Sequence, residues 1–511
     1  MKKLSLLSLG ALALAFSACS DDPEVEKPID PGTDDPTPEE IVPIEEQPLE
    51  SWNFLDADGR VLILRGVNLA GVSKGETGLP GSVEMTQADA EHFKDLGFNS
   101  VRYLIQWKNI EPEPGAYDLD YLASVRERLD ILHEQGIYAV LDMHQDVYSP
   151  YFGFNGAPAW AVRDDGIVYN QQVQWFTNYM QPAVQRAFDN FFAYDEHKDL
   201  QDSFAAMWRK TAEVLGDHPG VVGFDIINEP HPGTKLDYLE FGIDNDRSSH
   251  IAFDRERLQP FYQRVINAIR EVSSDKYILF EPRYGTPGDG AKCYMGKLED
   301  PREGNRRLFQ APHFYILAVE ATPVYGSSAR ARVAKWETER SAERDKNVHG
   351  TWLGEFGTFT SVDGYADYMN DILAITERMR IGFAGWSWDA YEFGMIGDRD
   401  PETLRYEEGP FLDILSRPYP RAIAGVPTHI EFVPEERALT FTWTVDPAID
   451  APTEIFAGSD RWYPSGFELL VDGISEDDYV VEYVEDGDLL LVHILDENAG
   501  SATLTLRPLE D

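Results

Sequence analysis

Cysteine is scarce in this chain of 511 residues, which contains only Cys19 and Cys293. Two cysteines allow one bridge at most, so a fold stapled by several disulfides is excluded. Basic residues are also few, since 44 Lys and Arg stand against 90 Asp and Glu, a net charge of -46. Because such a charge repels the phosphates of nucleic acids, we expect no nucleic-acid partner.

Long apolar runs are absent beyond the first residues of the chain. Lys2 and Lys3 form a basic start, and residues 4–16 are apolar but short for a membrane span. The following Cys19 resembles the cysteine of a bacterial lipoprotein box, which becomes the lipidated N-terminus. We therefore predict a signal peptide over residues 1–19 and a protein of the bacterial cell envelope that is lipid-anchored in the outer membrane, periplasmic or surface-exposed. Ordinary signal cleavage with an unmodified cysteine is the alternative.

Residues 20–50 are acidic and rich in proline. From residue 21 to residue 50 there are seven prolines and twelve carboxylates but only one lysine. Such a segment cannot bury enough apolar surface to fold, and its prolines keep it extended. We predict a disordered tether that holds the rest of the protein away from the membrane.

From residue 51 onward, short apolar runs alternate with amphipathic stretches. Eight runs are candidate strands, at residues 61–69, 100–105, 138–144, 221–229, 277–281, 308–315, 351–356 and 382–388. This alternation is typical of a parallel sheet that is covered on both faces, and eight strands fit a (β/α)8 barrel (TIM barrel) over residues 51–420. A doubly wound open sheet is the alternative, although no glycine-rich phosphate loop follows the first run.

The pattern changes again after Pro420. Six short segments with alternating apolar residues lie between Thr428 and Arg507, with turn residues between them. These segments predict an all-β sandwich over residues 421–511.

Two glutamates each lie at the end of a predicted strand, shortly before a proline or a glycine that ends it. Glu229 lies between Asn228 and Pro230, and Glu355 lies between two glycines in residues 354–357. Catalytic residues of barrels sit at the carboxyl ends of the strands. Cleavage of a glycosidic bond needs one carboxyl group as acid and a second as nucleophile or base. The pair therefore predicts a glycosidase, with two glutamates in ordinary salt bridges as the structural alternative.

Other polar residues at strand ends suggest roles around this pair. Arg102 and Tyr315 are expected to keep Glu355 ionised with a low pKa, which suits a nucleophile. Asn228 can bind a sugar 2-hydroxyl beside Glu229, which suits the acid/base. Further candidates for the substrate site are Asp142, His144, His313 and Trp386. Histidine and aspartate also bind metals, but these histidines lack paired ligand spacing, so we expect neither a metal nor a cofactor.

These residues resemble glycoside hydrolase family 5 of clan A, a family of retaining (β/α)8 enzymes. The resemblance includes residues 228–230, residues 354–357, Arg102 and residues 313–315. Three further segments resemble the endoglycoceramidase branch, which releases the intact glycan of glycosphingolipids and leaves ceramide: residues 141–148, 155–160 and 186–191. The similarity extends from about Val61 to the C-terminus and includes the predicted sandwich.

The resemblance implies that Glu229 is the acid/base and Glu355 the nucleophile. It also implies a sugar site nearest the cleaved bond, lined by Lys74, Asp142, His144, Trp175, Asn228, Tyr315 and Trp386. The predicted activity is hydrolysis of the bond between the reducing-end glucose and ceramide, with a glycosphingolipid as the partner. Alternatives are a β-glucosidase on glucosylceramide or a steryl glucoside, an endo-β-glucanase or mannanase on polysaccharide, and a non-catalytic glycan-binding protein. Loss of one carboxylate would mark the last, but both are present.

Overall fold

The structure is a computed structural model, and it describes residues 49–69, 85–235, 248–284, 292–316, 324–389, 393 and 395–509. The predicted signal peptide with Cys19, the tether up to residue 48, and Lys74 lie outside the described residues. Among the helices of the described part, none is both long and apolar enough to cross a membrane.

A parallel barrel occupies the larger part of the described chain, and a short hairpin precedes it. The strands are β1 (Phe54–Leu55), β2 (Val61–Leu62), β3 (Arg65–Leu69), β4 (Ser100–Ile105), β5 (Tyr138–Met143), β6 (Val221–Asp225), β7 (Tyr277–Phe280), β8 (Leu308–Gln310), β9 (His313–Phe314), β10 (Gly350–Thr351), β11 (Glu355–Phe356) and β12 (Phe383–Gly385). The parallel sheet has the order β10-β8-β7-β6-β5-β4-β3-β12. Its central strands are buried along their whole length, which explains their continuous apolar runs.

The sheet closes on itself between β10 and β12. Leu353 forms a parallel bridge with Phe383. Its N–H donates to the Gly382 carbonyl at 3.1 Å, and its own carbonyl accepts from the Ala384 N–H at 2.8 Å. The parallel pair β9 and β11 continues β8 and β10 toward the same end of the barrel. The predicted (β/α)8 barrel is confirmed, and the open sheet is excluded.

Helices cover the outside of the barrel. The α-helices of the described residues are Gln87–Asp95, Trp107–Ile110, Leu119–Glu134, Pro182–Phe192, Tyr194–Leu215, Ser248–Ala252, Gln259–Arg270, Ser327–Asn347, Tyr365–Met379, Pro410–Leu415 and Ser459–Trp462. Short 3-10 helices lie at Leu49–Ser51, Pro150–Phe152, Ala159–Ala161, Trp175–Met180, Gly233–Lys235 and Glu476–Asp478, and a π-helical turn at Phe253–Leu258. In Leu119–Glu134 the buried leucines and valine recur every three or four residues, as an amphipathic helix requires.

Two antiparallel sheets form the C-terminal sandwich. Its strands follow a separate hairpin of β13 (Ile396–Arg399) and β14 (Tyr406–Glu408), and they are β15 (Tyr419–Ile423), β16 (Gly425–Val433), β17 (Ala438–Val445), β18 (Thr453–Phe456), β19 (Phe467–Asp472), β20 (Tyr479–Val484), β21 (Leu489–Ile494) and β22 (Ser501–Pro508). One sheet has the order β16-β17-β22-β19 and the other the order β1-β2-β15-β18-β21-β20. In β17 the buried Leu439, Phe441 and Trp443 alternate with less buried residues, the period of a strand with one face in a core. The predicted sandwich is confirmed.

The N-terminal hairpin β1–β2 belongs to the sandwich rather than to the barrel. Val61 pairs with Ile423, and Leu62 pairs with Ala422. The single barrel strand predicted at residues 61–69 is therefore two strands, of which β2 joins the sandwich sheet and β3 the barrel. The predicted domain boundary after residue 420 stays a prediction, and it falls within β15.

Candidate active site

The carboxyl ends of the barrel strands bring the predicted polar residues together. These residues come from several strands and the turns that follow them: Arg102, Asp142, His144, Asn228, Glu229, His313, Tyr315, Glu355 and Trp386. Most of their side chains are buried. In (β/α)8 enzymes this end of the barrel carries the active site.

Glu355 is buried and held by two donors. Arg102 Nη1 donates to its Oε1 at 2.6 Å, and the Tyr315 hydroxyl donates to its Oε2 at 2.9 Å. Both contacts agree with the sequence prediction, but the predicted low pKa is wrong. Burial raises the pKa of Glu355 to about 7, and the charges of His313 and Arg102 offset the burial only in part. Desolvation of the carboxylate therefore outweighs the neighbouring cations.

Arg102 lies at the centre of the site and is fully buried. A guanidinium carries five N–H groups, and this one donates to side chains from five parts of the barrel: Asn68 at 3.1 Å, Asp225 at 3.0 Å, Asn228 at 3.1 Å, Glu281 at 2.8 Å and Glu355 at 2.6 Å. Its Nη2 also lies 2.9 Å from Asp142 Oδ1. Burial lowers the pKa of Arg102, but the surrounding carboxylates outweigh it and raise the pKa well above its usual value. Arg102 is thus a permanent cation that fixes the positions of several strand ends.

His313 stands between the two glutamates. Its Nδ1 lies 3.0 Å from Glu229 Oε1 and 3.4 Å from Glu355 Oε2, and its Nε2 lies 3.2 Å from Glu281 Oε1. Burial lowers the pKa of His313, but the charges of Glu281 and Glu355 outweigh it and raise the pKa well above its usual range. A protonated imidazole in this place attracts both glutamates, and one oxygen of Glu229 lies within 4.8 Å of one oxygen of Glu355.

Glu229 has a backbone conformation that favours glycine. Its φ is 42°, which costs free energy for a residue with a Cβ atom. Two hydrogen bonds hold it there: its N–H donates to Glu281 Oε2 at 2.8 Å, and its carbonyl accepts from Gln145 Nε2 at 3.2 Å. Its side chain is 18% exposed, against 6% for Glu355. Solvent therefore reaches Glu229, whereas Glu355 is almost sealed from it.

His144 and Trp386 form a flat wall of the site. Their rings stack at 5.7 Å with an interplanar angle of 16°. His144 Nδ1 lies 2.7 Å from Asp142 Oδ2, and although burial lowers the pKa of His144, Asp142 and Asp146 raise it to about 9. The indole face suits the apolar face of a sugar, and the charged imidazole beside it suits sugar hydroxyls.

Asn228 is fixed at both ends of its carboxamide. Its Oδ1 accepts from Arg102 Nη2 at 3.1 Å, and its Nδ2 donates to the Gln145 carbonyl at 3.0 Å. A carboxamide carries two N–H groups, so one of them is committed to Gln145. The contact with a sugar 2-hydroxyl stays a prediction.

Trp175 lies between β5 and the helix Pro182–Phe192. It begins the 3-10 helix Trp175–Met180 and is 49% exposed, and its ring packs near Phe176 and Tyr179. Its implied contact with sugar stays a prediction, as does that of Lys74, which lies outside the described residues.

Three residues of the site were not singled out from the sequence. Glu281 follows β7 directly, so the strand-end rule that selected Glu229 would also have selected it. Asp225 ends β6 and was read as part of the run before Glu229. Asn68 lies within β3, where its Nδ2 donates to the carbonyls of Gly354 at 3.0 Å and Ala384 at 3.1 Å. A lone amide inside an apolar strand was the available signal for it.

Two groups of side chains in the described residues have the donor chemistry to hold a cation: Glu229, His313 and Glu355, and Asp142, Asp225 and Glu281. Each carboxylate of the second group lies within 3.0 Å of the Arg102 guanidinium, so that group already has a cation beside it. In the first group Arg102 and Tyr315 bind one oxygen each of Glu355. The sequence expectation that the site uses no metal stays a prediction.

The geometry provides an acid, a nucleophile and a cation that links them. In inverting glycosidases the two carboxyl groups are about 6.5–9.5 Å apart, which leaves room for a water molecule, and in retaining enzymes they are about 5–5.5 Å apart. One oxygen of Glu229 lies within 4.8 Å of one oxygen of Glu355, and this close approach favours the retaining arrangement, in which a carboxylate attacks the sugar directly.

Comparison with known proteins supports this chemistry. A model of the cellulase family (glycosyl hydrolase family 5) matches residues 55–392, and a model of the glycoside hydrolase family 5 C-terminal domain matches residues 417–506. Endoglycoceramidase I of Rhodococcus hoagii is 27% identical over 439 residues, which cover 84% of this chain and 83% of that protein. Glucosylceramidase of Rhizopus delemar is 32% identical over 245 residues, which cover 37% of this chain and 36% of that protein.

A solved structure extends the similarity to three dimensions. Endo-glycoceramidase II from Rhodococcus sp., in its complex with ganglioside GM3, is 32% identical, with a TM-score of 0.79. The match covers 90% of this chain and 99% of that one. Since one family model spans the barrel through β12 and the other spans the sandwich, this glycoside hydrolase belongs to family 5.

Proposed function

We propose that this enzyme hydrolyses the bond between the reducing-end glucose and the ceramide of a glycosphingolipid, and so releases the intact oligosaccharide. The observation that carries the proposal is the pair Glu229 and Glu355. One oxygen of each lies within 4.8 Å of the other, and His313 Nδ1 lies 3.0 Å from Glu229 Oε1. The chain that holds the pair is similar over 90% of its length to endo-glycoceramidase II from Rhodococcus sp..

In the first step Glu355 attacks the anomeric carbon while Glu229 gives its proton to the glycosidic oxygen. The carbon–oxygen bond to the lipid breaks, ceramide leaves as an alcohol, and an α-linked glycosyl ester forms on Glu355. Arg102 and Tyr315 hold the attacking carboxylate in place. Because Glu355 attacks as the anion, its pKa of about 7 makes the fraction of active enzyme rise with pH up to neutrality.

In the second step water replaces the enzyme on the sugar. Glu229, now a carboxylate, accepts a proton from the water, which attacks the same carbon and releases Glu355. The exposed edge of Glu229 lies where this water enters. Two inversions leave the product in the β configuration of the substrate.

Azide distinguishes the two roles. With an activated aryl β-glycoside, Glu229→Ala still forms the glycosyl-enzyme, so azide gives a β-glycosyl azide. Glu355→Ala forms no ester, and azide attacks the opposite face to give an α-glycosyl azide. The reverse pattern of products, read by NMR, would overturn the assignment.

Product analysis by mass spectrometry tests the activity itself. We expect wild-type enzyme to convert a defined ganglioside into intact oligosaccharide and ceramide, with Glu355→Gln as the blank. Glucose from glucosylceramide, with the ganglioside untouched, would instead establish a β-glucosidase on simple lipids. The partial match to a glucosylceramidase is the observation that keeps this second function in view.

For the N-terminus we propose that Cys19 carries lipid and anchors the enzyme in the bacterial cell envelope. The support is the sequence alone, with a basic start, an apolar run of residues 4–16 and an acidic, proline-rich stretch after Cys19. Labelling of cells with a fatty-acid analogue should mark the wild-type chain but not Cys19→Ser. Equal labelling of both would end the proposal.

A further inference from the structure

A turn of unusual backbone conformation follows β5. Val147 and Tyr148 are consecutive residues with positive φ, 53° and 73°. Residues with a Cβ atom rarely adopt this conformation, and a β-branched valine hardly ever does. Such strain persists only where the surrounding contacts hold it, and it is found most often at functional sites.

Contacts among its own residues hold this turn. The Tyr148 N–H donates to Gln145 Oε1 at 2.8 Å. Asn155 binds Asp146 twice, since its Oδ1 accepts from the Asp146 N–H at 2.9 Å and its Nδ2 donates to Asp146 Oδ2 at 2.8 Å. Gly156 lies so close to the turn that a methyl group on it would lie 2.6 Å from Gln145 Cβ. The turn therefore fixes the side chain of Gln145.

The amide of Gln145 joins this turn to the backbone around the acid/base. Its Nε2 donates to the Asn228 carbonyl at 3.0 Å and to the Glu229 carbonyl at 3.2 Å. Two bonds run in the other direction: Asn228 Nδ2 donates to the Gln145 carbonyl at 3.0 Å, and the Asn228 N–H donates to the Met143 carbonyl at 3.1 Å. Gln145 is buried, so its loss would leave both carbonyls without their donor.

The two carbonyls that Gln145 binds define one torsion of the acid/base. The Asn228 carbonyl precedes the N–Cα bond of Glu229 and the Glu229 carbonyl follows it, so one amide group fixes φ from both ends. This φ is 42°, a value that a glutamate leaves when nothing holds it. Rotation about the N–Cα bond moves the carbonyl and the side chain together, because both are attached to Cα. A change in φ would therefore displace the carboxyl group that lies 3.0 Å from His313.

From these contacts we propose that Gln145 is a positioning residue for the acid/base. By binding the carbonyls on both sides of the Glu229 N–Cα bond, it holds the Glu229 carboxyl group where it can protonate the leaving oxygen. A displacement of about 1 Å can cost about 100-fold in rate. The inference rests on the proposed function through the role of Glu229 alone, and the lipid plays no part in it.

The test uses two aryl β-glycosides of the sugar that the wild-type enzyme cleaves. In one the leaving group is a strongly acidic dinitrophenol, which departs without a proton, and in the other it is phenol, which needs the proton of Glu229. Gln145→Met keeps the length of the side chain and removes its amide. The matched control is Gln201→Met in the helix Tyr194–Leu215, because Gln201 is also buried and its Nε2 donates to the Phe191 carbonyl at 2.7 Å.

We expect Gln145→Met to lower kcat/KM about tenfold or more on the phenyl glycoside, and to keep it within about threefold of wild type on the dinitrophenyl glycoside. The ratio of the two constants does not depend on the concentration of active enzyme, so a partly unfolded preparation gives the same ratio. Gly156→Ala should change the ratio in the same direction, because its methyl group displaces Gln145 and leaves the amide intact. Gln201→Met should keep the wild-type ratio.

Three results would contradict the proposal. An unchanged ratio in Gln145→Met would overturn it, whether both rates fall or neither does, because Gln145 would then serve the fold or the sugar site as a whole. A wild-type ratio in Gly156→Ala would overturn the part played by the turn. The same change of ratio in Gln201→Met would show that the loss of any buried amide has this effect. If the wild type cleaves no glycosphingolipid, the proposed substrate fails, but the ratio still tests Gln145 because neither glycoside contains lipid.

Discussion

Replacing the nucleophile by its amide should make the protein more stable at alkaline pH. The pKa of Glu355 is raised from 4.5 to about 7, chiefly by burial. Each tenfold change in proton affinity corresponds to about 1.4 kcal/mol, so the buried carboxylate costs the folded state about 3 kcal/mol when it is ionised. Glu355→Gln keeps the shape of the side chain and removes this cost.

The stability difference between the variant and wild type depends on pH. Below pH 4.5 the glutamate is protonated in both the folded and the unfolded chain, so its burial costs nothing extra. Between 4.5 and about 7 the folded chain keeps a proton that the unfolded chain has lost, and stability falls as pH rises. The variant should therefore exceed wild type by about 3 kcal/mol at pH 8.5, and by about 1 kcal/mol at pH 5.

Urea unfolding of both proteins at these two pH values, followed by tryptophan fluorescence, measures the difference. Glu468, which is partly exposed in β19, gives the matched control, since Glu468→Gln should change stability little at either pH. The reasoning is refuted if Glu355→Gln is no more stable than wild type at pH 8.5, or if its advantage is the same at both pH values. A gain would show that the site trades stability for reactivity.

Three further outcomes follow from the site. For wild type acting on a soluble aryl glycoside, kcat/KM should fall below a pH of about 7 as Glu355 takes up its proton, and a limb near 4.5 in the pH–rate profile would contradict this. Glu281→Gln should lower kcat about 10- to 100-fold with little change in KM. It should also move to lower pH the loss of activity that we expect where His313 loses its proton, because Glu281 contributes most to the raised pKa of His313; a structural role alone would leave this limb of the pH profile in place. Arg102→Lys should cost about 3–5 kcal/mol in urea unfolding because buried carboxylates lose their partner, whereas the exposed Arg126→Lys should cost less than about 1 kcal/mol.

Much of the site could be predicted from the sequence because the successive strands of a barrel lie side by side, so their carboxyl ends meet. Glu229 and Glu355 each end an apolar run at a chain breaker, and the closed parallel sheet brings such ends together. The contacts of Arg102 and Tyr315 with Glu355 were predicted on the same basis. The pKa of Glu355 was not, because charge is visible in a sequence but the degree of desolvation depends on everything packed around the group.

The split of residues 61–69 into two strands shows a second limit of prediction from the sequence. Residues 61–64 are all apolar, and nothing local separates β2 from β3. What separates them is the pairing of β2 with β15, whose residues lie more than 350 positions later in the chain. Partners so distant leave no mark on local periodicity.

The pairing of β2 with β15 also determines which parts of this protein fold together. β2 leads into the first barrel strand, β15 lies beyond the last one, and the two are hydrogen-bonded side by side in one sheet. The segments through which the chain enters and leaves the barrel are thus paired with each other in a sheet of the sandwich. During synthesis β2 stays an open edge until its partner β15 has been made, and until then it can pair wrongly. The two family models describe separate stretches of sequence, but β1 and β2 tie them into one folding unit, and a barrel expressed alone would carry a hairpin that lacks its partner strand β15.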